Sequence, residues 1–141
     1  MTYLLDVNVL IALSDTTHLH HKIAQNWFHS FPSISWATCP LTENGFVRII
    51  SQKHRDKTHQ NAQNVRDTLR NFCSQPGHQF WPDSLSIREV ASIPEISGPK
   101  AITDLYLLAL AVKNEGKFAS LDSRIDPTLI PGGNHALQIV E

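Results

Sequence analysis

The sequence predicts an α/β fold in which a parallel sheet is covered by helices on both faces. Short apolar segments of strand length alternate along the chain with longer segments whose apolar residues recur every three or four positions. Strands that alternate with helices in this way form parallel sheets, because each helix carries the chain back to the same end of the sheet. A chain of 141 residues can bury one adequate core, so we expect a single domain over residues 1–141.

The first half of the chain predicts two strands and four helices. The apolar run before Asp6 is short, which suits a strand, whereas the run after it is long enough for a buried helix. Thr16 or Thr17 can cap the second helix. The predicted elements are a strand at Tyr3–Leu5, helices at Val7–Ser14 and from Thr16 or Thr17 to about His29, a strand at Ile34–Ala37, a helix at Thr42–Ile50, a polar stretch at Ser51–His59 and a helix at Asn61–Cys73.

The second half predicts three further strands around one strongly apolar helix. Thr103 introduces this helix, and Gly116 closes it in the C′ position. The predicted elements are a strand at His78–Trp81, a short helix at Ser86–Ala91, a loop rich in Pro and Gly at Ile93–Lys100, the apolar helix at Thr103–Lys113, and strands at Phe118–Leu121 and Leu137–Val140.

Composition excludes several classes of protein. Hydrophobic residues make up 41% of the chain and charged residues 18%, which excludes a disordered chain. No apolar run approaches the roughly 20 residues that span a bilayer. The residues before Asp6 lack the basic start of a signal peptide, so we expect a cytosolic protein without membrane association. The two cysteines, Cys39 and Cys73, have no metal-binding spacing, and we expect both to be small buried side chains.

The charge of the chain gives no overall sign of nucleic-acid binding, since the net charge is only -1. Basic residues do occur on or between two predicted helices. They form either a solvated helix face or a phosphate-binding rim, and the sequence leaves both readings open. These residues are Arg48, Lys53, His54, Arg55, Lys57, Arg66 and Arg70.

Four carboxylates are placed by the predicted elements at one edge of the sheet. Asp6 ends the first strand, Asp122 ends the fourth, and Asp104 lies in the first turn of the helix that precedes the fourth strand. Glu43 lies near the start of the helix that follows the second strand. Because the functional residues of open α/β sheets gather at the carboxyl ends of the strands, all four can face one cleft.

Each of these carboxylates also has a structural explanation. Asp6 can cap the first helix, Asp104 suits a helix start and Asp122 suits a turn. Glu43 can be a solvated helix residue. Together they are harder to explain, because two carboxylates about 5 Å apart repel by roughly 3 kcal/mol at an effective dielectric near 20. No lysine or arginine lies next to these positions in the sequence, so we expect raised pKa values or a bound cation to relieve the repulsion.

The chemistry of such a cluster follows from its ligand atoms. Oxygen ligands without a His or Cys motif favour a hard cation, Mg²⁺ or Mn²⁺. Such a cation activates water and screens the charge on a phosphodiester in its transition state, which predicts phosphodiester hydrolysis; whether one ion or two are held stays open. Asn8 and Ser120 lie two residues from Asp6 and Asp122, where they either orient ligands and water or have a local turn role.

Four segments of the chain form a pattern, namely Leu4–Leu13, Thr42–Arg48, Thr103–Ala111 and Phe118–Asp122. Their order and spacing, over almost the whole chain, resemble the motifs of PIN domains of the VapC type. The resemblance implies a central five-stranded parallel sheet, a Mg²⁺- or Mn²⁺-dependent ribonuclease activity on RNA, a homodimer, and inhibition by a cognate VapB-like antitoxin. On this resemblance the acidic positions of the family are Asp6, Glu43, Asp104 and Asp122, and its supporting polar positions are Asn8 and Ser120.

Other functions fit the sequence less well. A phosphatase of the haloacid dehalogenase type needs a second Asp two residues after the first, where this chain has Asn8. An RNA-processing PIN nuclease without a toxin role stays open, as does a PIN-like module that binds RNA or protein without cleavage, although a binding module has no need of mutually repelling carboxylates. His18, His20 and His21 suggest a zinc site, but two of them are adjacent and a packing role is favoured.

Overall fold

Strand β1 (Thr2–Leu5) is the middle strand of a five-stranded sheet in which all pairings are parallel. The structure is a computed structural model that describes residues 1–53, 61–93 and 98–141. In sheet order the strands are β3 (His78–Phe80), β2 (Ser35–Thr38), β1, β4 (Lys117–Ser120) and β5 (Leu137–Ile139). The predicted α/β class and the five-stranded parallel sheet are therefore confirmed.

Helices cover both faces of the sheet, as the alternation of elements predicts. They are α1 (Val7–Ser14), α2 (His21–His29), α3 (Pro40–Lys53), α4 (Ala62–Cys73), α5 (Pro99–Lys113) and α6 (Gly133–Ala136), with short 3-10 turns at Ile87–Glu89 and Pro127–Leu129. Side chains of α1 to α4 form one core with Leu5, and side chains of α5 and α6 form a second core with Leu4. The two leucines point to opposite faces because side chains alternate along a strand.

The order of strands reverses between β1 and β4. The chain passes from β1 to β2 and β3 by way of helices on one face, and then returns through α5 on the other face to place β4 beside β1. Crossovers between parallel strands are right-handed, so strands added in opposite directions need helices on opposite faces. A crevice forms at such a reversal, outside the carboxyl ends of the strands. Asp6 directly follows Leu5, the last residue of β1, and therefore lies at this crevice.

Two predicted segments lie partly outside the described residues. The polar stretch at Ser51–His59 is described as far as Lys53, where it extends α3 beyond the predicted end at Ile50. His54, Arg55 and Lys57 lie outside the described part of the chain, as do residues 94–97 of the Pro- and Gly-rich loop. Within the described ranges, no helix is both long enough and apolar enough to cross a membrane.

Three of the basic residues of α3 and α4, namely Arg48, Arg66 and Arg70, lie on a solvated surface. Arg48 is exposed. The guanidinium groups of Arg66 and Arg70 lie 3.2 and 3.7 Å from the carboxylate of Asp67, on the same exposed face of α4. This arrangement favours the solvated helix face over the phosphate-binding rim.

The start of α2 differs from the prediction. Neither Thr16 nor Thr17 caps this helix, because the carboxylate of Asp15 accepts hydrogen bonds from the backbone N–H and the hydroxyl of Thr17, at 2.9 and 2.7 Å. The Nδ1 of His18 then accepts from the backbone N–H of His20. These side-chain turns hold the chain between α1 and α2 in a non-helical conformation, and α2 begins only at His21, with His20 as its N-cap.

The clustered histidines have packing and turn roles in the structure. His18 holds the turn described above, and a ring nitrogen of His21 lies 2.7 Å from the backbone oxygen of Ala12 in α1. This contact fixes the start of α2 against α1. The packing role favoured by the sequence therefore accounts for both side chains.

The start of α5 also differs from the prediction, and the difference matters for the site. The helix begins at Pro99 rather than Thr103, with Gly98 as its N-cap. Proline is well suited to a first helical position, because its fixed φ is helical and the N–H that it lacks has no helical partner there. Asp104 therefore lies in the second turn rather than the first, where its side chain is buried against the sheet.

The end of α5 shows why Gly116 is needed. The C′ position belongs to Glu115, which has a positive φ of 56°, and Gly116 is the next residue. The Gly116 N–H donates to the Ala111 carbonyl at 2.9 Å, which is the long hydrogen bond of a Schellman motif. A Cβ on Gly116 would lie 2.6 Å from the Thr2 backbone oxygen and 2.7 Å from the Trp81 ring. The glycine thus allows close packing rather than an unusual φ.

Candidate active site

Asp6 lies at the junction of β1 and α1 and is only 5% exposed. One carboxylate oxygen accepts from the Val7 backbone N–H at 2.7 Å, which caps α1. The other accepts from the Ser120 hydroxyl at 2.6 Å. Burial raises the pKa of Asp6, and these two hydrogen bonds oppose the rise because they favour the charged form.

Ser120 and Asn8 link the end of β4 to the start of α1. The Ser120 hydroxyl is fully buried and, besides donating to Asp6, accepts from the Asn8 amide at 3.3 Å and from the Asp122 backbone N–H at 3.1 Å. The Asn8 side-chain oxygen accepts from the Leu121 backbone N–H at 3.3 Å. The two polar residues therefore hold the Asp6 carboxylate and the Asp122 backbone in a fixed relation.

Replacing Ser120 with Ala should destabilise the protein by about 2 kcal/mol, because it leaves buried polar partners without their hydrogen bonds. It should also raise the pKa of Asp6 further, since the Ser120 hydroxyl favours the charged carboxylate. Urea unfolding measures the first effect. Ser14→Ala is the matched control, as the Ser14 hydroxyl donates only to the Ile11 carbonyl. Equal losses of unfolding free energy in Ser120→Ala and Ser14→Ala would contradict this role for Ser120.

Asp104 projects from α5 and is 6% exposed. Burial raises its pKa to about 6, and the neighbouring charges of Asp6 and Asp122 raise it as well, while Lys100 and Arg124 oppose the rise. The carboxylate accepts no hydrogen bond from any residue that the structure describes. Asp104 is thus an acid whose pKa is raised by burial and by two other aspartates and which has no hydrogen-bond donor in the described part of the chain.

Asp122 has the opposite environment. Its carboxylate lies 3.0 Å from Nε of Arg124 and 3.3 Å from Nζ of Lys100. The Arg124 hydrogen bonds, together with Lys100, hold the pKa of Asp122 well below its usual range. Asp122 is therefore ionised at neutral pH, beside two acids that burial makes harder to ionise.

The expected raised pKa values are found at Asp6 and Asp104, but basic residues relieve the repulsion as well, which the sequence did not lead us to expect. Arg124 lies two residues after Asp122, where its backbone N–H and its guanidinium both donate to the carboxylate. The sequence signal for this contact is the spacing of Asp122 and Arg124, because an Asp side chain often accepts from the backbone two residues later. Lys100 could be placed only once α5 begins at Pro99, because it then lies one helical turn before Asp104.

A cleft of about 330 Å³ opens beside these groups. Asp104, Asp122, Lys100 and Arg124 contribute its charged side chains together with Asp126. Its apolar wall comes from α5 and from the segment after β4, namely Ala101, Leu105, Ile125 and Leu129. The cleft therefore combines carboxylate oxygens with exposed basic groups.

Glu43 lies at the same edge of the sheet, but beside β2. Its carboxylate accepts from the hydroxyl of Thr38, the last residue of β2, at 2.6 Å. One ligand atom from each of Glu43, Cys73 and His78 lies within 4.8 Å of the others, so these three residues could hold a metal ion. The structure thus brings Asp6, Asp104 and Asp122 together and places Glu43 one strand away.

Residues 3–128 match the family model of the PIN domain. The chain belongs to the PIN-domain family. It is also similar to Mycobacterium tuberculosis proteins of strain ATCC 25618 / H37Rv. It is 40% identical to Ribonuclease VapC44 over 94% of each chain. It is 39% identical to Ribonuclease VapC39, over 89% of this chain and 91% of that protein. For Ribonuclease VapC29 the identity is 38% over 87% of each chain.

The aspartates of this PIN domain fit a divalent cation. Asp104 has no hydrogen-bond donor among the described residues, its pKa is raised by burial and by neighbouring negative charge, and it faces the cleft beside the ionised Asp122. A divalent cation held by these carboxylates would offset both the cost of burying their charge and their mutual repulsion. The ligand atoms are carboxylate oxygens, which suit a hard ion.

Proposed function

We propose that this PIN domain is a Mg²⁺- or Mn²⁺-dependent endoribonuclease and the VapC-type toxin of a toxin–antitoxin pair. The observation that carries the proposal is the pair of buried acids, Asp6 and Asp104, beside the ionised Asp122 at the strand reversal. Buried carboxylates with raised pKa values in a cleft are typical of functional sites. The similarity to proteins named as VapC ribonucleases supports RNA as the substrate.

The residues of the site divide into three roles. Asp6, Asp104 and Asp122 are the proposed metal ligands, with Glu43 as the fourth acid on the basis of its sequence motif. A bound divalent cation supplies an activated water and screens negative charge on the phosphodiester. Ser120 and Asn8 orient Asp6, because the Ser120 hydroxyl donates to that carboxylate and is itself held by the Asn8 amide.

Lys100 and Arg124 are the proposed contacts to the RNA backbone. Both side chains are largely exposed, at 63% and 81%, and both lie on the cleft. They neutralise Asp122 when the cleft holds no cation. A cation on Asp122 would compete for the same carboxylate oxygens, and the freed basic groups would then attract a phosphate. This local charge explains how a chain of net charge -1 can bind RNA.

The remaining partners follow from the VapC resemblance. We propose that the chain forms a homodimer, that a VapB-like antitoxin inhibits it, and that residues 1–141 form one nuclease domain. The pairing of β5 with β4 supports the last point, because it joins the segment after residue 128 to the sheet. Both cysteines are free thiols, which supports a cytosolic location.

The test is cleavage of a mixed RNA substrate by purified protein with Mn²⁺, with Mg²⁺ or with EDTA. We expect cleavage with either cation, none with EDTA, and none by an Asp6→Asn variant. Asparagine is an equally good helix cap, so this variant should fold. Asp67→Asn, on the exposed face of α4, is the matched control and should cleave like the wild type.

The outcomes separate the proposed mechanism from its rivals. Cleavage that persists in EDTA and in the Asp6→Asn variant would overturn it, because neither the cation nor the acid would then be needed. An absence of cleavage by folded wild type across varied RNAs would instead favour a module that binds without cutting. Circular dichroism of each variant shows whether a loss reflects chemistry or unfolding.

A further inference from the structure

A second group of potential ligands lies beside β2, apart from the three aspartates. Glu43, Cys73 and His78 each offer one ligand atom, and these atoms all lie within 4.8 Å of one another. The three residues come from α3, from the last position of α4 and from the first position of β3. Cys73 and His78 flank the short turn between α4 and β3, whereas Glu43 lies about 30 residues earlier and is brought to them by the pairing of β3 with β2 and the packing of α4 on α3.

Thr38 orients two of these three side chains. Its hydroxyl lies 2.6 Å from the Glu43 carboxylate and 2.8 Å from Nε2 of His78. A carboxylate only accepts, so the hydroxyl donates to Glu43 and accepts from the imidazole N–H. The ring of His78 also packs against the ring of Trp36, with centroids 4.6 Å apart. Glu43 and His78 are therefore held near Cys73 before any ligand arrives.

The ligand types indicate which cation the group would hold. Thiolate sulfur, imidazole nitrogen and carboxylate oxygen together are the ligand set of Zn²⁺, whereas Mg²⁺ takes oxygen ligands and water. All three side chains are half-buried, so a fourth position is open to water. The three aspartates offer only oxygen ligands, so the two groups differ in the cation that they prefer. Glu43 is the one side chain that both share, because it is also the fourth proposed nuclease acid.

We propose that Glu43, Cys73 and His78 form a Zn²⁺ site with three protein ligands. Binding replaces the thiol proton of Cys73 by a sulfur–zinc bond, and that proton leaves to solvent, while His78 binds as the neutral imidazole through its unprotonated ring nitrogen. The ion then joins α3, α4 and the edge strand β3 at one point. Any ion that binds only the folded chain stabilises it, so Zn²⁺ raises the melting temperature of the protein.

Cobalt is the probe for the test, because Co²⁺ takes the same ligands as Zn²⁺ and shows charge-transfer absorption when thiolate binds it. The full chain is stripped with EDTA, reduced, and titrated with Co²⁺. We expect a thiolate band that saturates at one equivalent, that one equivalent of Zn²⁺ removes, and that excess Mg²⁺ leaves unchanged. The band should be lost in Cys73→Ser and weakened in His78→Gln.

The chain offers matched controls for both parts of the site. Cys39 is the only other cysteine in the sequence and is fully buried, so Cys39→Ala should keep the band. Asp104→Asn should also keep it, which separates this group from the aspartate cleft. Glu43 is left unchanged, because it also belongs to the proposed nuclease acids. Absence of a band in wild type, or a band that survives in folded Cys73→Ser, would overturn the proposal.

A second measurement uses the wild type alone and does not depend on the folding of a variant. Alkylation of Cys73 by iodoacetamide is followed by mass spectrometry, with the buried Cys39 as the internal reference. One equivalent of Zn²⁺ should block the modification of Cys73, and EDTA should restore it. Modification at the same rate with and without Zn²⁺ would contradict the site.

Discussion

Replacing Asp104 with Asn should abolish RNA cleavage and, without divalent cations, make the folded protein more stable at neutral pH. The acid is buried in α5, and its pKa is raised from 3.8 to about 6 by burial and by the charges of Asp6 and Asp122. A folded-state pKa above the unfolded value means that the folded protein binds the proton more tightly. Asparagine keeps the shape of the protonated acid and cannot acquire the charge.

The sign of the pH dependence follows directly. The stability that the protonated carboxyl contributes is complete below about pH 4 and is lost as the pH rises through about 6. Above that range the wild type carries a buried charge that costs about 1–3 kcal/mol, after allowance for the water in the cleft. The free energy of unfolding of Asp104→Asn should therefore exceed that of wild type by about 1–3 kcal/mol at pH 7.5 in EDTA, and by almost nothing at pH 4.

Urea unfolding in EDTA at the two pH values measures the gain, and Asp67→Asn controls for the removal of an exposed carboxylate. Cleavage should fall at least about 100-fold, since a lost metal ligand removes several kcal/mol of transition-state stabilisation. Mn²⁺ should raise the melting temperature of wild type more than that of the variant. A variant that is less stable than wild type at pH 7.5 in EDTA would show that Lys100 and Arg124 already compensate the charge on Asp104.

Much of the fold could be predicted because each strand and helix has its own local pattern. The alternation of short and long apolar segments predicts the parallel sheet, and the ends of β1 and β4 then place Asp6 and Asp122 at one edge. Ser120 and Asn8 follow from the same reasoning, since each lies two residues from one of these acids. The three aspartates were therefore within reach of the sequence alone.

The parts that the sequence did not predict depend on contacts between different helices and strands. The segment before Thr103 is rich in Pro and Gly and was predicted to be a loop, although α5 begins at Pro99. Lys100 was therefore not predicted to be a partner of Asp122. The position of Glu43 depends on a hydrogen bond to Thr38, which no local pattern reveals. Cys73 was expected to be a buried packing residue, but it is half-buried, and its approach to His78 depends on how α4 and β3 pack.

Replacing Gly77 with Ala should destabilise the protein by at least about 3 kcal/mol, the scale of a strained backbone combined with a steric overlap. Gly77 has a φ of 88°, which favours glycine, and a Cβ there would overlap the backbone oxygen of Ile34. Its own carbonyl accepts from the Trp36 N–H at 3.0 Å, so the residue also sets the pairing of β3 with β2. Alanine cannot relieve the strain without weakening that pairing.

Gly98→Ala is the matched control, because a Cβ at that position meets no atom within 4 Å and its φ of -65° suits any residue. Because Gly98 is the N-cap of α5, the Gly98→Ala variant should lose less than about 1 kcal/mol of unfolding free energy. Urea unfolding of both variants gives the comparison. Similar small losses would mean that the turn before β3 can shift, and His78 would then not be held against Thr38 by the backbone. If only Gly77→Ala loses much stability, and the remaining folded protein still cleaves RNA normally, then the pairing of β2 with β3 is independent of the aspartate cleft beside α5.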